Sequence, residues 1–236
     1  MEARENRRSW GLSQEGLKAI ACVTMLLDHI GAIFVPGYYT YYILRILGRI
    51  AFPIYCFLLV EGVYHTRSPR KYALRLSLGA VISEIPFDLA FYGGPTVEHQ
   101  NVMLTLLLGF CVVEAGKRLP GWIQFPAALA LAWLAEWLGT DYGAWGVVLI
   151  FLFSLARQQH WPKWALVLVM GTVLLEMDSA AVPFLWGLPI ELFGLAALIP
   201  IFLYSGQKRR AGKGSRLLGY GFYPGHLLVL YALKML

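Results

Sequence analysis

Apolar residues in this chain run together for about twenty positions at a time and stop at short turns holding glycine, proline or charge. A hydrocarbon layer about 30 Å thick needs roughly 20 helical residues to cross it. Nine such runs can be bounded, at about 17–36, 41–64, 72–92, 101–116, 121–138, 142–157, 163–177, 183–204 and 216–235, the fifth to seventh being short. Their length and lack of apolar/polar alternation exclude a β-barrel. Composition agrees, with 58% hydrophobic and 14% charged residues and a mean hydropathy of +0.59; soluble domains carry about 25% charged residues. The expected fold is all-α: a polytopic membrane helical bundle of about nine transmembrane helices.

The charges assign each turn to a side. One set of turns holds Arg4, Arg7, Arg8; Arg67, Arg70, Lys71; Lys117, Arg118; Arg157, Lys163; and Lys208, Arg209, Arg210, Lys213. The alternate set holds Glu98, Asp141, Glu176 and Asp178, with no lysine or arginine. This asymmetry predicts a cytoplasmic N-terminus and an outside C-terminus. The net charge of +6 is then mostly topological, and no nucleic-acid partner is expected. Residues 1–16 read as a short basic cytoplasmic tail and 17–236 as a single transmembrane domain. The first run is expected to remain as a helix rather than be cleaved, because Asp28 and His29 interrupt it and no small-residue cleavage site follows. Cys22, Cys56 and Cys111 lie in apolar runs without a CxxC pattern and read as packing residues.

Depth follows from the topology. Asp28 and His29 fall in the outer half of the first helix, Arg45 and Arg49 of the second, Glu84 and Asp88 of the third. Asn101 and Thr105 begin the fourth at that level, Glu191 lies about two turns into the eighth, and His226 sits near the middle of the ninth. Ionisable groups inside a bilayer are paired or line a cavity, so one polar cavity opening outward is expected. Arg45 and Arg49 share a helix face, as do Glu84 and Asp88, and the two pairs are expected to meet across adjacent helices. Asp28 and His29 point about 100° apart, which turns Asp28 toward an arginine rather than toward His29. Pro53 and Pro86 each free a backbone carbonyl near these clusters. Four carboxylates against two arginines leave negative charge in excess, which raised carboxyl pKa values, charged histidines or a cationic ligand would relieve.

Plainer readings stay open. Arg45, Arg49, Glu84 and Asp88 fasten helices together on one view; Glu191 is a protonated packing residue and His226 an interhelical hydrogen-bonder. Glu61 and Glu114, at cytoplasmic helix ends, read as structural. Trp10, Trp122, Trp137, Trp161 and Trp186 read as interface anchors, and Gly48, Gly79 and Gly109 as points of close helix packing.

The stretches "LKAIACVTMLLDHIGAIF", "LRILGRIAFPIYCFLLVEGVYHTRSPRKYALRL", "LGAVISEIPFDLAF", "NVMLTLLLG" and "YGFYPGHLLVLYAL" together resemble the TraX family, named for the conjugal pilin N-acetyltransferase. The resemblance is densest over residues 17–110, returns at 216–232 and is thin from 117 to 185. It implies a multi-pass protein of the bacterial plasma (inner) membrane that moves an acyl group from cytoplasmic acetyl-CoA, or another acyl-CoA, to an acceptor in or across the membrane. His29 in the DHIG motif would be the general base, with Asp28, Arg45, Arg49, Glu84 and Asp88 in the same catalytic site. Asn101, Thr105, Glu191 and His226 are the candidate substrate-binding residues. The CoA phosphates are expected on Arg67, Arg70, Lys71 and Arg75, with the QKRRAGKGSR turn a second basic candidate and no metal required. The partners expected are acyl-CoA, membrane lipids and an acceptor that is an amine, a sugar, a lipid headgroup or a peptide N-terminus. The alternative is a proton-coupled transporter of a small polar solute, which suits buried charges equally well but lacks an internal repeat. A lipid-binding scaffold leaves His29 beside paired arginines unexplained.

Overall fold

The computed structural model describes residues 11–35, 37–177, 181–206 and 213–236, of which 213–220 are described by backbone alone. The charges at Arg4, Arg7, Arg8, Asp178 and Lys208 to Arg210, the Lys213 side chain and Trp10 lie outside the described residues.

The described chain is mostly helical: α1 (Gln14–Phe34), α2 (Tyr38–Gly48), α3 (Ala51–His65), α4 (Pro69–Tyr92), α5 (Val102–Arg118), α6 (Gly121–Trp137), α7 (Gly143–Gln158), α8 (Lys163–Glu176), α9 (Leu198–Phe202) and α10 (Lys213–Lys234). Ser13 caps α1 by accepting from the Gly16 N–H at 3.2 Å, and Asn101 caps α5 by accepting from the Met103 N–H at 3.0 Å. Most neighbours are joined by short turns and pack side by side, which makes them antiparallel. Helix α3 sits at the centre, touching α1, α5, α7, α9 and the segment before α9. It is apolar almost all round, as a fully surrounded helix must be. Helix α10 closes the bundle against α4 and α1.

Two backbone bridges mark opposite ends of the bundle. At one, Leu12 pairs with Tyr204; at the other, Gln100 pairs with Thr140. Outward faces of α4 (Leu78, Val81, Ile82, Ile85) and α6 (Trp122, Leu129, Trp133, Trp137) are strongly exposed and apolar. Such surface in water is an association site, and on a bundle of this composition it is what lipid would cover.

Two departures from the expected spans have visible causes. The run 41–64 is not one straight helix: it breaks between α2 and α3 at Arg49 and Ile50. Pro53 lies four residues beyond Arg49, where its ring crowds the carbonyl of residue i−4 and offers it no N–H. The run 183–204 is not a regular helix either. It opens with a two-stranded antiparallel hairpin, β1 (Ala181–Val182) with β2 (Leu188–Pro189), continues as a 3-10 segment over Ile190–Ala197 and ends in α9. Pro183, Gly187 and Pro189 explain the hairpin, and Trp186 and Gly187 turn it at φ 54° and 72°. Among the described residues, Gln14–Phe34 and Tyr38–His65 are the helical stretches long and apolar enough to cross a membrane alone, with mean hydropathies of 1.7 and 1.9. Length and composition of the described helices therefore establish two candidate spans and do not by themselves confirm nine.

Candidate active site

Helices α1 and α2 approach closely because Gly48 offers no side chain: a Cβ there would collide with the Asp28 side chain. Asp28, buried, thus lies against the α2 backbone between two arginines. Its Oδ2 accepts from Arg45 at 2.6 Å and its Oδ1 from Arg49 at 2.5 Å. Arg49 spends a second guanidinium nitrogen on Glu191 Oε1 at 2.5 Å, and its Nε donates to the Arg45 carbonyl at 3.3 Å. One carboxylate therefore bridges two guanidiniums, and a second carboxylate completes the set from the 3-10 segment. Glu191 stands in the first turn of that segment, two residues after Pro189, rather than two turns into a helix.

The arginines do not meet Glu84 and Asp88, as had been expected. Glu84 turns to α5, accepting from the Asn101 side chain and, at 3.3 Å, from its backbone N–H. Asp88 accepts from the Thr96 N–H at 3.0 Å. The reason is helix order: α4 packs on α5 and α10 and barely touches α1, so its acidic face fastens the start of α5 and the turn before it. Asn101 also donates to the Ala80 carbonyl at 2.8 Å. Thr105 donates to the backbone carbonyl of Asp141. None of Glu84, Asp88, Asn101 and Thr105 lines the two cavities described below.

His29 faces a different partner from Asp28, as consecutive helical positions require. Its Nδ1 lies 2.7 Å from Nε2 of His226 on α10, and Nδ1 of His226 lies 2.6 Å from the Phe222 carbonyl. A carbonyl only accepts, so His226 Nδ1 carries a proton. A neutral His226 then accepts at Nε2, and His29 must donate from Nδ1. The chain of two bonds leaves Nε2 of His29 as an unprotonated nitrogen. The ring is held in place by the Phe91 edge, 5.3 Å away between centroids, and Phe222 stacks on His226 at 4.8 Å. His226 had been read as a residue for substrate; it stands instead behind His29.

Two cavities meet here. The inner one, about 260 Å³, is lined by Asp28, His29, Arg45 and Arg49 and by apolar groups including Met25, Phe52, Phe87, Phe91 and Leu106. The second, a polar vestibule of about 440 Å³, is lined by His99, Glu136, Thr140, Trp145 and Glu191 among others. Arg45, Arg49, Asp141 and Tyr142 border both. Tyr142 stacks on Phe52 with ring centroids 3.7 Å apart and holds φ 65°, unusual for a bulky residue. Asp141 lies in the turn between α6 and α7. Burial pushes its carboxyl up to about 6, against the pull of the Arg49 guanidinium.

Asp141, Thr140, Glu136 and Tyr142 were not singled out from the sequence as site residues; Asp141 served there only as an outer-turn charge. The one available signal was a cluster of polar residues beside glycine in the turn GTDYG. The residues expected to hold CoA phosphates, Arg67, Arg70, Lys71 and Arg75, are exposed on the α3–α4 turn and the first turns of α4. Arg75 lies about 18 Å along α4 from the Phe87 that lines the inner cavity, at 1.5 Å per residue. Glu61 and Glu114 tie the same end of the bundle, Glu61 to Arg157 and Glu114 to Lys117 and Arg118. Among the described residues no cluster of three or more His, Cys, Asp or Glu side chains is placed to hold a metal ion.

Comparison with known proteins places these residues in a context. The family model described as TraX protein matches residues 13–234. The chain is 31% identical to "Probable fimbrial assembly protein FimC, serogroup H1" of Dichelobacter nodosus over 243 aligned residues, 93% of this chain and 94% of that protein. It is 27% identical over 152 residues to an uncharacterized protein of Rickettsia prowazekii (strain Madrid E), a match spanning 62% of this chain and 56% of that one. No solved structure matches. With the family match running from the cap of α1 to the end of α10, the chain belongs to the TraX family.

Proposed function

We propose that this protein is a multi-pass acyltransferase of the bacterial inner membrane, transferring an acetyl group from cytoplasmic acetyl-CoA to an amine or hydroxyl acceptor. The observation that carries the reading is the hydrogen-bond chain from the Phe222 carbonyl through His226 to His29, which leaves a lone pair on Nε2 of a residue lining the cavity. As the acceptor attacks the thioester carbonyl, Nε2 takes its N–H or O–H proton. The C–S bond then breaks, and the proton passes to the departing thiolate, so that CoA thiol and an amide or ester are the products. The free N–H groups of Arg45 are suited to the oxyanion, because Asp28 occupies only one of its terminal nitrogens. Asp28 and Glu191 hold Arg49 and act as positioning residues.

Nine passes with a cytoplasmic N-terminus bring the donor from the side of Arg67, Arg70, Lys71 and Arg75. The basic and acidic turns, and the two backbone bridges at opposite ends, support that arrangement. The pantetheine arm of CoA would span about 18 Å along α4, between Arg75 and the inner cavity. The relative's description as a fimbrial assembly protein makes a peptide amine or hydroxyl one acceptor to try beside small amines, sugars and lipid headgroups.

The test is acetyl-CoA consumption by the purified protein with a panel of amines and alcohols, beside His29→Ala. The variant is expected to bind acetyl-CoA yet lose transfer by a factor on the order of 10² to 10⁴. Turnover by His29→Ala near that of the parent would remove the general-base role. Failure of the parent to bind any acyl-CoA would favour transport of a small solute.

A further inference from the structure

The vestibule carries groups that the hydrogen-bond chain at His29 does not use. Thr140 is 6% exposed and its Oγ1 meets no hydrogen-bond partner, although the residue lines the vestibule. A buried hydroxyl without a partner forgoes a bond it would make in water. Beside it, Asp141 is fixed entirely through its backbone. Its N–H donates to the Gln100 carbonyl at 2.8 Å and its own carbonyl accepts from Thr105. Among the described residues, no hydrogen bond or ion pair engages the Asp141 carboxylate itself.

The charge balance points the same way. Four carboxylates line the two cavities, at Asp28, Glu136, Asp141 and Glu191, against the two guanidiniums of Arg45 and Arg49. Both guanidiniums are already engaged, by Asp28 and Glu191. Glu136 accepts from the Ala144 N–H at 3.0 Å and lines the vestibule. The unbalanced negative charge therefore gathers at Asp141 and Glu136, which both line the vestibule.

We propose that the vestibule is a binding subsite for a protonated amine, held by the Asp141 carboxylate and the Thr140 hydroxyl. With a carboxyl that titrates near 6, Asp141 is ionised at neutral pH and meets the ammonium as a charged partner. Arg45, Arg49 and Asp141 border both the vestibule and the apolar inner cavity, so an amine held there lies beside the pair of arginines that the acyl group would meet from the inner cavity. Calling this amine the acceptor rests on the acyl-transfer reading; the binding itself does not.

The experiment uses the full chain in detergent, without acyl-CoA, and compares n-butylamine with n-butanol by saturation-transfer NMR and calorimetric titration near neutral pH. Butylamine is expected to bind and butanol to show no saturable signal. Asp141→Asn should weaken butylamine about tenfold or more, the size of one charged hydrogen bond. Thr140→Val, which keeps the side-chain shape, should weaken it by a smaller factor and serves if the first variant fails to fold. Equal binding of the amine and the alcohol, or parental affinity in both variants, overturns the subsite. Retained amine binding in a protein that never consumes acyl-CoA would remove the transferase reading and leave the subsite standing.

Discussion

Replacing Asp28 by asparagine tests the ion network at its narrowest point. The carboxylate gives one oxygen to Arg45 and the other to Arg49. Asparagine has one oxygen and one NH2 group, so only one guanidinium keeps an acceptor and the other faces a second donor. Arg49, with its side chain 6% exposed, has more to lose than Arg45 at 23%. The amide should therefore turn its oxygen to Arg49 and abandon Arg45. Breaking a buried pair costs about 3–5 kcal/mol, and the partial exposure of Arg45 puts this case near the lower end, about 3 kcal/mol. At about 2–4 °C per kcal/mol for a chain of this size, the melting temperature should fall on the order of 10 °C. The assay is thermal unfolding in detergent followed by intrinsic fluorescence. Asp28→Asn/Arg45→Gln supplies the decisive comparison: glutamine offers an oxygen to the stranded NH2 and removes the unbalanced charge. The double variant should melt above Asp28→Asn alone. An Asp28→Asn variant melting within about 2 °C of the parent, or a double variant whose losses simply add, would refute the bridging role.

His226→Leu removes the acceptor that holds His29 in its tautomer, and should lower kcat on the order of 10- to 100-fold with KM nearly unchanged; His226→Gln, whose amide oxygen can accept the same proton, should retain more activity, and equal losses in the two would assign His226 to packing alone. Gly48→Ala places a methyl group against Asp28, and should destabilise by about 1–3 kcal/mol while dropping transfer; melting and turnover at parental values would show that α1 and α2 part without consequence. Asp141 gives the pH dependence. Its carboxyl is ordinary at 3.8 in the unfolded chain and about 6 in the fold, with Arg49, Arg45, Asp28 and Glu191 around it. The folded state keeps a proton that the unfolded chain sheds, so this group's contribution to stability falls as pH rises between those values and is level above about pH 6. At 1.36 kcal/mol per unit the loss is at most about 3 kcal/mol. Asp141→Asn should flatten the slope of melting temperature over this window, and an unchanged slope would place the titration elsewhere.

How much of this was legible in the sequence depended on what each residue's visibility required. Asp28, His29, Arg45, Arg49, Glu191 and His226 stand out because charge or imidazole in an apolar run is costly whatever surrounds it. Their partners were not visible. Pairing depends on which helices touch, and Asp28 takes both arginines because α1 lies on α2, whereas α4 turns Glu84 and Asp88 toward α5. The bond from His29 to His226 joins residues 197 apart in the chain, a separation no periodicity encodes. The break at Arg49 was written in Pro53, and the hairpin at 181–189 in Pro183, Gly187 and Pro189, but hydropathy outweighed these signals in drawing the spans. Turn residues were hardest of all. In a loop a polar residue is the rule, so the cluster GTDYG was a weak mark of the cavities that Thr140 and Asp141 line.

That last failure bears on the chemistry. The surplus of carboxylates over arginines was expected from Asp28, Glu84, Asp88 and Glu191, all on spanning segments. The surplus around the cavities is of the same size, but Glu136 and Asp141 take the places of Glu84 and Asp88. The substitution changes what the excess can do. Carboxylates buried along α4 would have to take up protons or remain bound to their helix neighbours, as Glu84 and Asp88 are bound. Asp141 at its turn beside an orphaned hydroxyl, and Glu136 in the last turn of α6, line a vestibule and can instead answer to a ligand. Asp28 and Glu191 match the two arginines in number, and Asp141 and Glu136 are left unmatched beside the vestibule. A histidine with a free nitrogen, two fixed guanidiniums and two unmatched carboxylates thus border adjoining cavities, and each is set by a different part of the chain.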